Sequence, residues 1–87
     1  MRKVILEKNA LEDFEFWTKQ DIKILKKIAE LILAINKEPF SGIGKPEPLK
    51  GDLKGYWSRR ITDEHRIIYS ITADAVTVIS CKSHYKI

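Results

Sequence analysis

The sequence predicts an α+β domain in which two N-terminal helices pack on one face of a twisted antiparallel sheet, in the element order β-α-α-β-β-β. Two observations predict this fold. In the first half of the chain, a short β-branched run is followed by apolar residues that recur at the three- and four-residue spacing of helices. In the second half, short turns separate strand-like segments, and short turns join antiparallel neighbours. Two helices can then cover one face of the sheet.

The size and composition of the chain limit what it can be. Its 87 residues allow one domain, residues 1–87, and its 16 basic and 12 acidic side chains give a net charge of +4, which favours an anionic partner. Cys81 is the only cysteine, so we expect a reducing, cytoplasmic setting, with this thiol in the core. Too few apolar residues follow the N-terminus for a signal peptide, and no apolar stretch is long enough to span a membrane.

Residues 2–7 are predicted to form the first strand, because their apolar run is too brief for a helix. Asn9 and Glu12 have the spacing of a capping box, so a helix should begin there and end near Lys19. The residues predicted to share one face of this helix are Leu11, Phe14, Trp17 and Thr18.

A second helix is predicted from about Asp21 to Asn36, because apolar residues recur there at helical spacing. The residues of this apolar stripe are Ile22, Leu25, Ile28, Ala29, Ile32 and Ile35, widened by Ile24 and Leu31. The opposite side is rich in lysine, and such a side is more often a solvated face than a binding surface.

The segment from Lys37 to Gly55 is predicted to be a long loop, because it holds all three prolines and all four glycines of the chain. Loops of this length are uncommon in compact domains and are often functional. Three strands should follow this loop. They span residues 56–61, 66–71 and 75–83.

Several polar side chains have no packing role in this pattern and are candidates for chemistry. They are Lys45, Glu47, Lys50, Arg59, Arg60, Arg66, His84 and Tyr85. Prolines on both sides of Glu47 disfavour helical backbone, so this segment should be extended and stiff. The carboxylate of Glu47 should therefore be held by a rigid backbone. A plain surface glutamate in a proline-rich turn explains the same residues equally well.

Three arginines indicate phosphate recognition. Alternation along a strand sends the side chains of Arg59 and Arg60 to opposite faces, and Arg66 opens the next strand. A guanidinium donates two parallel hydrogen bonds to phosphate and stays charged, although cross-strand ion pairs with nearby acids explain these arginines about as well. A two-residue turn at Asp63-Glu64 would place Arg60 and Arg66 on opposite faces. If both contact one phosphate, the connection must be odd-numbered or bulged, and we predict that it is.

Either histidine is suited to proton transfer near neutral pH, and composition does not separate His84 from His65. No spacing of cysteine and histidine fits a zinc site, and no glycine-rich loop opens a helix in the manner of a phosphate-binding loop. No acidic cluster suggests bound Mg²⁺. We therefore expect no metal and no cofactor.

Two segments carry a resemblance to a known family. Residues 39–50 contain the pattern GxGKPEPLK, residues 55–66 contain WSRRITxEHR, and His84-Tyr85 lies near the end of the chain. Together these segments resemble the YoeB/Txe toxins of the RelE/ParE superfamily of toxin–antitoxin systems. The likeness runs the whole length of the chain, with matching element order, and is most specific from Pro39 to Tyr69.

The resemblance implies a microbial-ribonuclease-like, RelE-like fold and ribosome-dependent cleavage of mRNA in the decoding site. Position by position, Glu47 matches the family's general base, His84 its general acid, and Arg66 the arginine that stabilises the phosphate. The further substrate contacts expected around them are Lys50, Arg60, Tyr85, Lys45 and Arg59. A homodimer and neutralisation by a YefM-like antitoxin are also implied. Family members typically stop at the His-Tyr pair, whereas this chain continues with Lys86-Ile87.

The expected chemistry is metal-independent attack by the ribose 2′-OH, which leaves a 2′,3′-cyclic phosphate and a 5′-hydroxyl. It needs a base for the 2′-OH proton, cations for the charge that builds on the phosphate, and an acid for the departing 5′-oxygen. Two alternatives stay open. A ParE-like toxin would bind DNA gyrase without RNA chemistry, and a non-catalytic basic module would bind RNA through phosphate contacts alone.

Overall fold

Residues 2–83, which the computed structural model describes, form a five-stranded sheet with two helices packed on one face. The elements are β1 (Lys3–Leu6), α1 (Lys8–Gln20), α2 (Ile22–Lys37), β2 (Glu47–Pro48), β3 (Trp57–Arg60), β4 (Arg66–Ile71) and β5 (Ala75–Ser80). A short 3-10 turn spans Gly51–Leu53, between β2 and β3. The strands lie in the order β1-β5-β4-β3-β2.

The predicted α+β class and the order of its elements are confirmed, and the sheet differs from the prediction in two ways. β1 lies parallel to β5, so the sheet is mixed rather than purely antiparallel. Parallel strands need a long crossover, which the two helices and the other strands supply. Inside the predicted loop, Glu47 and Pro48 add a short edge strand by pairing with Ser58 and Trp57.

Helix α1 begins without the predicted capping box. Its N-cap residue is Glu7, whose side chain makes no capping hydrogen bond. The side-chain amide of Asn9 donates instead to the carbonyl of Ile79 at 3.3 Å. The predicted capping box is wrong because the Asn9 side chain forms its hydrogen bond with Ile79, a residue distant in sequence.

The buried face of α1 is also shifted from the predicted one. Ala10, Asp13 and Trp17 face the core, whereas Leu11 and Thr18 of the predicted face are exposed. An acidic residue at a core position interrupts the apolar pattern. The apolar periodicity therefore predicted the neighbouring face of the helix as the buried one. That predicted face contains only Trp17 of the three residues that are buried.

Helix α2 starts where the sequence predicts it, with Asp21 as its N-cap. The Asp21 carboxylate accepts a hydrogen bond from the backbone N–H of Lys23 at 3.0 Å. Its core face is narrower than the predicted stripe, since Ile22 and Ala29 are exposed. The fully buried residues of this helix are Ile28, Leu31 and Ile35.

The core lies between the helices and one face of the sheet. Its buried apolar residues are Ala10, Trp17, Ile28, Leu31, Ile35, Ile61, Ile67, Tyr69, Val76, Val78 and Cys81. Successive side chains of a strand point to opposite faces, so the residues that alternate with Ile67 and Tyr69 face away from the helices. We call that side the helix-free face. It carries Glu47, Ser58, Arg60, Arg66 and Ile68.

Candidate active site on the helix-free face

The strand register brings three of the candidate residues to one face of the sheet. Arg60 on β3 lies directly opposite Arg66 on β4, and Glu47 on β2 lies opposite Ser58, two residues before Arg60. Directly paired residues share a face, as do residues two apart on one strand, so all three candidates project from the helix-free face. Five residues, 61–65, connect the two arginines. The predicted odd-numbered connection is therefore confirmed.

Strand geometry sets the distance across this cluster. Glu47 and Arg66 lie two strands apart, and their registers differ by two residues along the strand. With strands about 4.8 Å apart and a rise of about 3.4 Å per residue, their Cα atoms are roughly 12 Å apart. Glutamate and arginine side chains are both long, so this Cα separation is short enough for both to reach a common ligand over β3.

The connection between β3 and β4 positions the guanidinium of Arg66. Its Nη1 donates to the carbonyl oxygens of Thr62 at 2.7 Å, Asp63 at 3.0 Å and His65 at 3.3 Å. The hydroxyl of Thr62 accepts from the backbone N–H groups of Glu64 and His65, which closes the turn. Among residues 2–83, Nε and Nη2 of Arg66 make no hydrogen bond. The guanidinium of Arg66, a residue that is only 8% exposed, is thus held in place by the carbonyls of this connection.

Arg59, which we expected to contact substrate, lies inside the protein instead. It is 0% exposed, and its Nε donates to the hydroxyl of Tyr69 at 3.0 Å. Burial raises the pKa of that hydroxyl, and the hydrogen bond from Arg59 acts in the opposite direction. The terminal nitrogens of Arg59 donate to three carbonyls of the loop after α2, those of Glu38 (2.6 Å), Ser41 (2.9 Å) and Ile43 (3.1 Å). Arg59 therefore fastens this loop to the sheet, and its position does not fit a contact with RNA.

The remaining described candidates lie in β2 or within two residues of it. Lys45, Glu47 and Lys50 are all exposed. The carbonyl of Gly44 accepts from the backbone N–H of Arg60 at 2.7 Å, which ties this segment to β3. A surface pocket of about 340 Å³ lies beside β2 and is lined by Glu47, Pro48, Leu49, Lys50 and Leu53.

The segment after β5 is anchored on helix α1 at Cys81. The Cys81 N–H donates to the carboxylate of Asp13 at 2.9 Å, and its carbonyl accepts from the indole N–H of Trp17 at 2.9 Å. Burial raises the pKa of the Asp13 carboxyl, and the bond from Cys81 opposes that shift. Sequence reasoning assigned no role to Asp13. The sequence contained one signal for such a role. Asp13 lies three residues after Ala10 and four before Trp17, a spacing that puts all three residues on one face of the helix, and this face is buried.

The thiol of Cys81 is a core group, as the sequence predicted. It is 0% exposed, and burial raises its pKa to about 12. A nucleophilic cysteine needs a thiolate at working pH, and this environment opposes one.

Ser83 then brings the chain beside Arg66. Its N–H donates to Nδ1 of His65 at 2.8 Å, and its carbonyl accepts from the backbone N–H of Arg66 at 3.0 Å. His84 and Tyr85 lie outside the described residues, as do Lys86 and Ile87, so the roles expected of His84 and Tyr85 stay predictions. His65 was singled out only as an alternative to His84, and its contact with Ser83 was not foreseen.

Two further findings concern residues 2–83. In this range, no three histidine, cysteine or acidic side chains lie close enough together to hold a metal ion. No helix in the described part of the chain is both long and apolar enough to cross a membrane.

Comparison with known sequences gives matches along almost the whole chain. Residues 6–85 match the sequence model of a family described as the YoeB-like toxin of bacterial type II toxin-antitoxin systems. The chain is 53% identical over 85 residues to Toxin YoeB of Mycobacterium bovis, an alignment that covers 98% of this chain and all of that protein. It is 47% identical over 83 residues to Toxin YoeB of Escherichia coli K12, covering 95% of this chain and 99% of the other.

Solved structures match the fold over the same length. A YoeB/ParE toxin from Agrobacterium tumefaciens has a TM-score of 0.92 at 46% identity, covering 95% of this chain and 99% of its own. A YoeB dimer from Staphylococcus aureus has a TM-score of 0.90 at 41% identity, covering 97% and 98%. A heterotetrameric YoeB-YefM toxin-antitoxin complex from the same species has a TM-score of 0.88 at 41% identity, covering 98% and 99%. In sequence and in fold, the chain belongs to the YoeB-like toxin family of bacterial type II toxin–antitoxin systems.

Proposed function

We propose that this toxin is a ribosome-dependent endoribonuclease that cleaves mRNA without a metal ion and so inhibits translation in the cytoplasm. The observation that supports this proposal most is the strand register that sets Glu47, Arg60 and Arg66 on one face of the sheet. A carboxylate can act as a base, and a guanidinium fork can bind a phosphate. At this spacing the two act on one phosphodiester.

In the proposed reaction, Glu47 accepts the proton of the ribose 2′-OH while the 2′-oxygen attacks phosphorus in line. A bond forms between the 2′-oxygen and phosphorus, and the bond from phosphorus to the 5′-oxygen breaks. His84 donates a proton to the departing 5′-oxygen, and Arg66 stabilises the charge that builds on the phosphoryl oxygens. The products are a 2′,3′-cyclic phosphate and a 5′-hydroxyl, so one proton is taken and one is given.

We propose that Lys50, Arg60, Lys45 and Tyr85 hold the RNA around this centre. Lys45, Lys50 and Arg60 are exposed cations in the segment of Glu47 or beside Arg66. Arg59 is left out of this set because its donors are engaged inside the protein.

We also propose that the toxin forms a homodimer and is neutralised by a YefM-like antitoxin, as relatives from Staphylococcus aureus form a YoeB dimer and a YoeB-YefM complex. The chain exposes large apolar residues that an interface would bury. They include Leu11, Ile22, Leu33, Phe40 and Ile43. Light scattering of the purified toxin tests the dimer, and a mass of one chain at micromolar concentration would contradict it.

The test of the activity is cleavage of mRNA on translating ribosomes by the full chain, with the new 5′ ends mapped and their chemistry determined. Glu47→Gln and His84→Ala should each lower the cleavage rate by about 10²–10⁴-fold with near-normal ribosome binding. Glu15→Gln, an exposed acid on α1, is the matched control and should cleave normally. A 2′-deoxy nucleotide at the cleavage site should block the reaction, because the nucleophile is then missing.

Three outcomes would overturn the proposed activity. A linear 3′-phosphate as the first-formed product would exclude 2′-OH attack. Inhibition of purified gyrase, with mRNA left intact on the ribosome, would point to a ParE-like toxin. Salt-sensitive RNA binding without cleavage would point to a non-catalytic module.

A further inference from the structure

The last described residue of the chain, Ser83, is fixed on both sides of its backbone. Its N–H donates to Nδ1 of His65 at 2.8 Å, and its carbonyl accepts from the N–H of Arg66 at 3.0 Å. Both partners belong to the connection between β3 and β4 or to the start of β4. These two contacts hold the backbone of Ser83, the residue that directly precedes His84 in the sequence, beside Arg66.

The backbone of Ser83 needs these contacts to hold its conformation. Its φ is 67°, in the left-handed region that side chains other than glycine rarely adopt. Such a conformation persists only where surrounding contacts over-determine it. Losing the bond to His65 should therefore let Ser83 relax to a commoner conformation and redirect the residue that follows.

The hydrogen bond also defines the state of the His65 ring. Nδ1 faces an N–H donor, so it must act as the acceptor, and the ring proton lies on Nε2. Nε2 lies 3.6 Å from the carboxylate of Glu64, which is exposed. In this arrangement the Nδ1 lone pair is occupied by the backbone and is not available as a base.

Helix α1 contacts the His65 ring through the side chain of Trp17. The His65 ring meets Trp17 edge to face, with centroids 4.8 Å apart and an interplanar angle of 80°. Trp17 in turn donates from its indole to the carbonyl of Cys81 at 2.9 Å. The helix therefore fixes both the ring and the segment that the ring contacts.

We propose that His65 is a positioning residue of the active site: by accepting the Ser83 N–H at Nδ1 it sets the backbone from which His84 reaches the scissile phosphodiester. This inference rests on the proposed function, in which His84 is the general acid. His65 itself does not touch the RNA and carries no proton in the reaction. Its effect is on the orientation of His84 relative to Arg66.

Two substitutions separate the acceptor of His65 from its ring. His65→Phe keeps an aromatic ring against Trp17 but removes the acceptor, whereas His65→Asn removes the ring but offers a side-chain oxygen near the position of Nδ1. Glu64→Gln is the control, because it changes the Nε2 side of the ring and leaves Nδ1 in place. Each full-length variant is measured in the mRNA cleavage assay on ribosomes, and amide hydrogen exchange is followed at Ser83.

The positioning role predicts a specific pattern. His65→Phe should lower kcat on the order of 10–100-fold with little change in KM, since a misplaced catalytic group is costly. Its pH–rate profile should keep the shape of the wild-type profile, because His84 still carries the proton. Exchange at the Ser83 amide should become faster. His65→Asn should recover part of both the rate and the amide protection, and Glu64→Gln should match the wild type.

Other outcomes overturn the inference. A His65→Phe variant that cleaves at the wild-type rate or keeps full protection at Ser83 removes the positioning role. A His65→Asn variant no better than His65→Phe shows that the acceptor is not what matters, and loss of a limb of the pH profile in His65→Phe makes His65 a proton carrier instead. A wild-type chain that fails to cleave mRNA overturns the proposed function and this inference with it. An active wild type with an equally active His65→Phe overturns the inference alone.

Discussion

The neighbouring residues Arg59 and Arg60 lie on opposite faces of the sheet and differ in burial and in hydrogen bonding. On the helix-covered face, Arg59 is fully buried and donates four hydrogen bonds to Tyr69 and to the loop after α2. On the helix-free face, Arg60 is exposed and lies opposite Arg66. One step along a strand thus separates an arginine that holds the fold together from one placed beside a candidate catalytic group. The same residue type is buried in a hydrogen-bond network on one face and exposed beside Arg66 on the other.

The largest effect that tests this contrast is expected at Arg66. Arg66→Lys keeps the charge but loses the planar fork, so transition-state stabilisation should weaken and single-turnover cleavage on ribosomes should slow about 10²-fold. Arg60→Lys, on the same face but in a supporting role, should slow cleavage less than tenfold. Equal losses in the two variants would contradict the distinct role proposed for Arg66.

Stability should show the reverse contrast between the two adjacent arginines. Arg59→Ala leaves the buried Tyr69 hydroxyl and three partly buried carbonyls without their donor, so the free energy of unfolding should fall by roughly 3 kcal/mol. Arg60→Ala should change it by less than about 0.5 kcal/mol, because that side chain is exposed. Urea denaturation followed by circular dichroism measures both. If Arg60→Ala proves the more destabilising, the assignment of the two faces is wrong.

Close packing beneath the loop that Arg59 holds should be sensitive to a single methyl group. A Cβ at Gly44 would lie 2.8 Å from Cδ2 of Leu31 and 3.1 Å from Cβ of Arg59, at a φ of +83°. Gly44→Ala should therefore destabilise the fold by roughly 2–3 kcal/mol, from overpacking and backbone strain together. Gly51→Ala is the matched control, with a φ of +64° and open space around the added Cβ, and should cost about 1 kcal/mol. Thermal unfolding that gives equal losses would argue against the tight contact.

The smallest effect concerns the pH dependence of the helix-covered face. Burial raises the pKa of Asp13 above 3.8, so the folded state binds this proton more readily than the unfolded chain does. Stability from this group is complete below the unfolded pKa and is lost as pH rises through the folded pKa. Asp13→Asn removes the titration and keeps an oxygen for the Cys81 N–H, so the stability advantage of wild type over variant should shrink as pH rises above about 4. A difference that stays constant with pH would contradict this.

Sequence reasoning succeeded where the signal was local. The three C-terminal strands, the N-cap at Asp21 and the odd connection between Arg60 and Arg66 follow from turns, caps and alternation, all of which act within a few residues. The capping box at Asn9 failed because the side chain found a partner on β5. Local patterns predict local structure until a distant group offers a better contact.

What the sequence determined by itself was the order and type of the elements, together with the motif residues that indicate phosphate chemistry. Only the tertiary structure decided that β1 joins β5 in parallel, that Arg59 rather than Arg60 is buried, and that His65 holds Ser83 beside Arg66. The physical reason is that hydrophobic period and turn chemistry act over a few residues. Strand partners and buried hydrogen bonds join residues up to about 70 positions apart, and their energies exist only once the chain has folded.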